Sequence, residues 1–363
     1  MHSSGVFDAS WSNESAVLQF SINDLHLMQN WSARTFKTVR LGKDRKDIWH
    51  EIIPGIALNH HFLMHGILAF SALHLAYLYP DQSSTFIMRA TLHHTVAITT
   101  FREQLMNMSR DNCLAAFAFS SLLSLYSFAS LKSSNIAMLT EGNEIVEWFT
   151  LAKGVYSATK DHLGDILNSP LYPLLSIDVQ SFASPGKTGD NEVDKHIDSL
   201  YWLAETEEVD HQLLRDPAPG YPLTTLAFDS PDYNPESILE TYKFSVRHLQ
   251  RCFYTAYRRR DKMCEVSNVL LWAAIVPRSF VDLIAQRQPK ALVIVAYYCV
   301  LLNQLEDSWW MEGCAHSLLR FIDDCLPEQW KYWLAWPKHW TGYRLDQDSL
   351  SRTPYSPTSS SSS

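Results

Sequence analysis

The residues best suited to bind a metal ion are histidines near the start of the chain. His61 and His65 are four residues apart, which would place both imidazoles on one face of a helix. His60 is adjacent, but His74 lies nine residues beyond His65, about half a turn round an ideal helix. No third ligand joins the pair, and no HExxH motif is present. We therefore predict no metal site.

Residues that could act in acid–base catalysis are scattered along the chain. The sequence contains no GxSxG motif and neither of the glycine-rich nucleotide motifs GxGxxG and GxxxxGK[ST]. If the chain were an enzyme, the first acid or base candidates would be His65, His74, Tyr298 and Asp307. Without a motif that groups them, we predict no catalytic residue and no cofactor.

The charged groups give no sign of a nucleic-acid interface. The formal net charge is −9 and the sequence pI is about 5.9, whereas phosphate binding usually requires a basic face. The densest basic run, Arg258-Arg259-Arg260 with Lys262, is interpreted as a solvated helix end. The acidic pairs Glu306-Asp307 and Asp323-Asp324 are likewise interpreted as solvated. We predict that this chain does not contact nucleic acid directly.

Tryptophans are concentrated between residues 289 and 340. Six of the chain's twelve tryptophans lie there, at positions 309, 310, 330, 333, 336 and 340. The apolar run Ala291–Leu302 predicts a buried helix, and Cys314–Cys325 has apolar residues at helical spacing. Pro327 allows a further segment to begin, and Pro337 is predicted to end it. So much aromatic surface indicates a core, or a pocket for a flat apolar molecule.

Helical patterns account for most of the remaining chain. Residues 62–79 are apolar at 14 of 18 positions, and we interpret them as a central helix and not a membrane span. Further helices are predicted at 25–39 with an Asn23-Asp24 cap, and at 89–108, 113–131, 143–159, 193–214 and 235–263. Residues 266–287 are predicted to form one or two helices broken at Pro277. No stretch predicts a strand. The predicted fold is all-α, an irregular multi-helix bundle.

Composition divides the chain into one helical domain with loose ends. Residues 1–20 and the serine-rich tail 346–363 are predicted to be disordered, and no signal peptide is recognised. The helical domain spans 21–345, with irregular insertions near 177–192 and 215–235. The six cysteines form no CxxC pair and are expected to be buried, reduced thiols.

Several phrases resemble the C-terminal regulatory domain of fungal zinc-cluster (Zn2Cys6) transcription factors of the sterol uptake control type. In the C-terminal part these are Pro289–Leu302, the pair Trp309-Trp310 and Trp330–Pro337, which match the family in order and spacing. Phe62–Ala76 reproduces an FLMHGILAxSALHLA phrase almost unchanged, and Ala115–Leu122 matches an A-x-FAFSSL phrase. The resemblance covers about residues 21–340. It does not include the six-cysteine zinc cluster that binds DNA in this family.

The resemblance implies a ligand-sensing domain for a sterol or a similar apolar metabolite. A pocket between helices would control transcription, and the protein would be found in the nucleus and the cytoplasm. We expect the DNA-binding half either to lie upstream of this sequence or to have been lost. The predicted ligand-binding residues are Met64, Leu68, Phe117, Ser121, Tyr298, Cys299, Leu302, Trp309 and Trp310.

Two alternatives to a sensor remain open. A stand-alone pocket domain could serve fungal secondary metabolism as an isomerase or cyclase acting on an apolar polyketide or terpenoid, with the four acid–base candidates above. The chain could instead be a partner-binding module that forms a homodimer, or a heterodimer with a transcription factor.

Overall fold

The computed structural model contains α-helices and shorter 3-10 and π-helical turns. It describes residues 21–39, 48–105, 107–133, 146, 148–150, 153, 160–174, 187–205, 237–258 and 266–343, and none of these lies in a strand. The predicted all-α class is therefore confirmed. The two ends that were predicted to be disordered, and the predicted insertions except residues 187–192, lie outside the described residues.

The described helices are numbered in chain order. In chain order they are α1 (Ile22–Ala33), α2 (Ile53–Ala57), α3 (His61–Leu78), α4 (Ser83–Leu105), α5 (Cys113–Ser133), α6 (Leu163–Leu167), α7 (Asn191–Glu205), α8 (Ile238–Arg258), α9 (Val266–Ile275), α10 (Arg278–Ala285), α11 (Pro289–Asn303), α12 (Cys314–Cys325) and α13 (Ala335–Thr341). A π-helical turn, Ile48–Ile52, precedes α2, and 3-10 turns include Thr35–Thr38, Lys160–His162 and Glu328–Leu334.

Helix α3 is the centre of the N-terminal half. It packs against α1, α4 and α5, which explains why it is apolar on every side. By length and composition, α3 and residues 113–130 of α5 could each span a bilayer, but 78% of each is buried inside the protein. Burial by neighbouring helices accounts for this hydrophobicity without a membrane.

Gly66 lets α3 and α5 approach closely. A Cβ atom at Gly66 would lie 2.8 Å from Cε2 and 2.9 Å from Cδ2 of the buried Phe119 ring. Gly66→Ala should therefore destabilise the fold by about 1–3 kcal/mol, the usual cost of overpacking a core. Gly55→Ala in α2 is the matched control, because a Cβ there meets nothing within 4 Å. Urea unfolding would measure both, and equal stability of the two variants would contradict this packing.

Helix α11 is the centre of the C-terminal half. Its residues from Lys290 to Leu302 are all buried, and it packs against α8, α12 and α13. The run lacks charge because each face of the helix meets another helix. The uncharged pattern from 291 to 302 thus gave the right interpretation, and the helix extends it by only a few residues.

Helix ends are where the sequence predictions were least accurate. Ser21, and not Asn23 or Asp24, caps α1, because its hydroxyl accepts a hydrogen bond from the Asp24 amide and Asp24 caps the Ser21 amide in return. Pro337 does not end the last segment. It lies in the first turn of α13, where a proline needs no amide hydrogen.

One acidic pair is not solvated as predicted. Lys338 donates a 2.7 Å hydrogen bond to Asp323 Oδ2, and the Asp323 side chain is only 6% exposed. Glu306 is also engaged, because its Oε1 accepts from the Ala315 amide and lies 3.2 Å from His316 Nδ1. These carboxylates join α12 to its neighbours, so they support the fold.

Candidate functional site

The pair Trp309-Trp310 connects the two halves of the fold. Trp309 Nε1 donates to Thr38 Oγ1 at 2.9 Å, and Trp310 Nε1 donates to the Thr38 carbonyl at 3.3 Å. The Trp309 ring stacks on His74 of α3 at a centroid distance of 4.9 Å, while Phe70 lies 5.2 Å away. The loop after α11 is thereby fixed to α3 and to the 3-10 turn at Thr35–Thr38.

A buried polar network holds α1 and α3 beside this tryptophan pair. Asn30 Nδ2 donates to Thr35 Oγ1 at 2.9 Å and to Ser71 Oγ at 3.1 Å. Thr35 Oγ1 lies 2.9 Å from His74 Nδ1. Asn30 Oδ1 accepts no hydrogen bond from the described residues. The contact between the Thr35 hydroxyl and His74 Nδ1 helps to fix the orientation of the His74 ring that stacks on Trp309.

Aromatic rings continue from Trp310 along one face of α11. Phe128 of α5 lies 6.3 Å from Trp310 and 4.9 Å from Trp148, and Trp148 stacks on Tyr298 at 5.8 Å. Trp272 of α9 lies 4.5 Å from Tyr298. We call these five residues, together with Trp309, the first aromatic cluster. Its rings come from α5, α9, α11, the helical residues 148–150 and the segment that follows α11.

The predicted ligand-binding residues fall into two groups. The first group lies on α11 or in the segment that follows it and consists of Tyr298, Cys299, Leu302, Trp309 and Trp310. Of these, Tyr298, Trp309 and Trp310 belong to the first aromatic cluster. The other four, Met64, Leu68, Phe117 and Ser121, lie in the N-terminal halves of α3 and α5. At 1.5 Å per residue, Met64 is about 15 Å along α3 from the Trp309-stacked His74. Only the first group therefore includes residues of the first aromatic cluster. The role of all nine residues in ligand binding stays a prediction.

Trp148 carries a buried hydrogen-bond donor that has no acceptor among the described residues. Its side chain is 4% exposed, and its Nε1 is fully enclosed. An unpaired buried donor costs about 1–3 kcal/mol, so such a group calls for a partner. Sequence reasoning did not select Trp148 as a ligand-binding residue.

A second aromatic cluster lies on another face of α11. Trp336 of α13 is within 5.0 Å of the Tyr297 ring and stacks on His196 at 4.8 Å. The Trp336 Nε1 is also buried without an acceptor among the described residues. The two clusters are therefore alike in having an enclosed, unpaired indole donor, but only the first includes predicted site residues.

The four acid–base candidates have separate surroundings. His65 Nδ1 lies 2.9 Å from His93 Nδ1, whereas His74 faces Thr35. Tyr298 donates to the Val269 carbonyl at 2.8 Å, and Asp307 is exposed. The four candidates therefore lie at different places in the fold. Three of them contact other buried groups, and the fourth, Asp307, is exposed.

Sequence reasoning missed the partner of His65. His93 Nε2 lies 3.1 Å from Asp24 Oδ1, which gives a chain of contacts from α1 through α4 to α3. Burial is the main cause that lowers the pKa of His65, to about 4, and the neighbouring His93 lowers it further. Since 28 residues separate the two histidines, no local spacing could have revealed the pair.

The described cysteines are free thiols. Cys113, Cys252 and Cys299 are buried, while Cys314 and Cys325 are partly exposed. Burial raises the pKa of Cys252 to about 12 and raises that of Cys299 well above its ordinary value. These two sulfurs are therefore small core groups. The prediction of burial is right for Cys113, Cys252 and Cys299 and wrong for Cys314 and Cys325, while Cys264 lies outside the described residues.

Curated fungal proteins are similar to this chain over most of its length. The transcription factor afumD of Aspergillus fumigatus, described as Zn(2)-C6 fungal-type, is 22% identical over 76% of this chain and 65% of its own length. Sterol uptake control protein 2 of Candida albicans is 25% identical over 81% of this chain and 39% of its own. A Zn(2)-C6 fungal-type transcription factor of Gibberella zeae is 23% identical over 86% and 61%.

This chain is a homologue of fungal Zn(2)-C6 transcription factors. The resemblance predicted from the sequence is confirmed. The homologue spans only 39% to 65% of the length of these three relatives. No protein-family model matches it.

Two of these relatives are named as transcription factors and the third as a sterol uptake control protein. The predicted nuclear location agrees with these names, and for this chain it stays a prediction. The predicted cytoplasmic location gains no support from them.

Proposed function

We propose that this chain is the ligand-sensing regulatory part of a fungal transcription regulator. Its ligand would be a sterol or another flat apolar metabolite. A relative named sterol uptake control protein 2 matches 81% of the chain, which includes both halves of the described fold. DNA contact would belong to a segment other than this one, and the chain would act alone, as a homodimer or as a heterodimer with a transcription factor.

The observation that carries the proposal is the first aromatic cluster. Phe128 of α5 contacts Trp148, and both Trp148 and Trp272 of α9 contact Tyr298 of α11, an aromatic composition that suits a rigid apolar ligand. The enclosed Trp148 Nε1 supplies a donor that a ligand hydroxyl oxygen can satisfy. A ligand bound there would contact α5, α9 and α11 together.

The same position suits a switch. The first aromatic cluster leads through Trp310 to Thr38 and through Trp309 to His74, so a bound ligand would act on the contacts between the two halves. A ligand changes such an equilibrium only if it binds one arrangement more tightly than the other. We propose that ligand binding stabilises one arrangement of these contacts and thereby controls an activating surface.

Trp148→Phe tests the proposed polar contact. It keeps an aromatic ring but removes the indole N–H, so affinity for a 3-hydroxysterol should fall about two- to tenfold, the range expected for one hydrogen bond. Affinity for the corresponding 3-deoxy sterane should stay the same, because that molecule has no hydroxyl to lose. Fluorescence or calorimetric titration of the purified chain would measure both.

Trp336→Phe is the matched control. It removes the equivalent enclosed indole N–H from the second aromatic cluster and should leave sterol affinity unchanged. If both variants weaken binding equally, or if Trp148→Phe weakens both ligands equally, the donor role of Trp148 is contradicted.

A further inference from the structure

Three potential metal ligands of different chemistry meet between α5 and α6. Cys113, His162 and Asp165 each offer one ligand atom, and these atoms lie within 4.8 Å of one another. Cys113 is the first residue of α5. His162 precedes α6, and Asp165 lies in the first turn of α6. The group has no part in the proposed ligand site.

The local structure explains how the three side chains converge. The short H-x-x-D spacing places His162 and Asp165 on one turn, where His162 Nδ1 lies 3.4 Å from Asp165 Oδ2. Helix α6 packs against α5, which brings this turn to the Cys113 sulfur. The two elements are far apart in sequence, so sequence inspection alone predicted no such site.

The separations are close to those of a tetrahedral zinc site. Zinc bonds of 2.0–2.3 Å place neighbouring ligand atoms roughly 3.3–3.8 Å apart, so the group needs to contract by only about 1 Å. A sulfur, an imidazole nitrogen and a carboxylate oxygen form a donor set that suits Zn²⁺ and not Mg²⁺ or Ca²⁺. With 23% and 28% of the His162 and Asp165 side chains exposed, an ion could enter from solvent.

We infer that Cys113, His162 and Asp165 form a Zn²⁺ site that ties α5 to α6. Three protein ligands leave a fourth position for water. Binding would release the Cys113 thiol proton to solvent, because the metal ligand is the thiolate. The site would stabilise the N-terminal end of α5, the helix that also carries Phe128 of the first aromatic cluster.

Two contacts that Arg110 makes with the proposed ligands would have to break when zinc binds. The Arg110 guanidinium Nε lies 2.9 Å from Asp165 Oδ1, but its side chain is 84% exposed and such pairs contribute little. The Cys113 thiol donates weakly to the Arg110 carbonyl at 3.4 Å. Burial raises the pKa of this thiol, and the Asp165 carboxylate raises it further.

A cobalt titration tests this site in the purified, chelator-treated chain of residues 1–363. We expect one equivalent of Co²⁺ to produce a thiolate charge-transfer band and the visible bands of tetrahedral cobalt, both removed by added Zn²⁺. Mg²⁺ should have no effect. Zinc should also protect Cys113 from alkylation, as mass spectrometry of tryptic peptides would show.

Matched variants separate this site from an incidental thiol. Cys113→Ser and His162→Asn should each weaken Co²⁺ binding by more than the 10- to 100-fold that loss of an outer-shell partner costs. Cys325→Ser, which alters a partly exposed cysteine elsewhere, should leave binding unchanged. Arg110→Gln removes the competing cation and should tighten binding by up to about fivefold.

Three outcomes would overturn the inferred zinc site. The first is a folded chain that gives no charge-transfer band with Co²⁺. The second is a band that remains in the Cys113→Ser variant, and the third is weaker Co²⁺ binding by the Arg110→Gln variant. The Arg110 and His162 variants alter partly or largely exposed side chains, so circular dichroism should show them folded and the test does not depend on the buried Cys113.

Discussion

Acidification from about pH 7 to pH 5 is expected to remove several kcal/mol from the free energy of unfolding. Buried histidines contribute to this loss. Burial is the main cause that lowers the pKa of His65, His74 and His248, each to about 4. Nearby cations reinforce the shift at two of them, through Arg34 at His74 and through Arg251 and Arg247 at His248.

The sign of the effect follows from proton binding. Each histidine has a lower pKa in the folded chain than in the unfolded chain, so the unfolded chain binds more protons between about pH 6.5 and pH 4. The stability contribution is complete above pH 6.5 and is lost as the pH falls through this window. At about 1.4 kcal/mol per pKa unit, each histidine contributes up to about 2 kcal/mol between pH 7 and pH 5.

His248→Gln tests one of these histidines. Arg251 Nη1 lies 3.4 Å from His248 Nδ1, and glutamine can accept from the same guanidinium without becoming charged. On acidification from pH 7 to pH 5, the free energy of unfolding of the variant should fall by up to about 2 kcal/mol less than that of the parent chain. His339→Gln, at an exposed position on α13, is the control and should follow the parent. Urea unfolding at the two pH values would measure each difference. Equal stability of the parent chain at both pH values would contradict the prediction.

Lys338→Met is expected to destabilise the fold by about 3–5 kcal/mol, the usual result of removing one partner from a buried ion pair. Asp323 would remain 6% exposed and would lose the 2.7 Å hydrogen bond to its cation. Its other oxygen, Oδ1, already has no partner among the described residues, so the carboxylate has little else to stabilise it.

Two further variants test whether burial of the Lys338–Asp323 pair causes this destabilisation. Lys331→Met removes a lysine whose partner Glu328 is 89% exposed, and it should cost no more than about 1 kcal/mol. In the double variant with Asp323→Leu, most of the stability lost by Lys338→Met should return, because no unpaired charge then remains buried. Equal effects of the two lysine substitutions on the urea midpoint would show that the pair is not buried in solution.

The sequence predicted the central helices well because hydrophobicity is a local property. The uncharged runs at 62–79 and 291–302 correspond closely to α3 and α11, and the apolar spacing from Cys314 to Cys325 gave the bounds of α12. Pro277 was correctly placed between α9 and α10. In each case the signal lies within the element itself.

The candidate site was predictable only in part, because its contacts join distant parts of the chain. The tryptophan pair was selected from composition, but its anchor at Thr38 lies 271 residues from Trp309. The association of Trp148 with Tyr298, and of His65 with His93, likewise depends on how helices pack. Leu68 of α3, Phe117 of α5 and Tyr298 of α11 were all selected as apolar or aromatic residues. Their residue types alone could not show that only Tyr298 belongs to the first aromatic cluster.

The most direct test of a ligand-sensing domain is native mass spectrometry of the chain purified from a fungal host, followed by extraction and identification of any bound small molecule. We expect one sterol or related flat apolar metabolite per chain, bound less tightly by the Trp148→Phe variant than by the Trp336→Phe variant. A folded chain that carries no such molecule, and that binds no added sterol at micromolar concentration, would contradict the proposed ligand-sensing role.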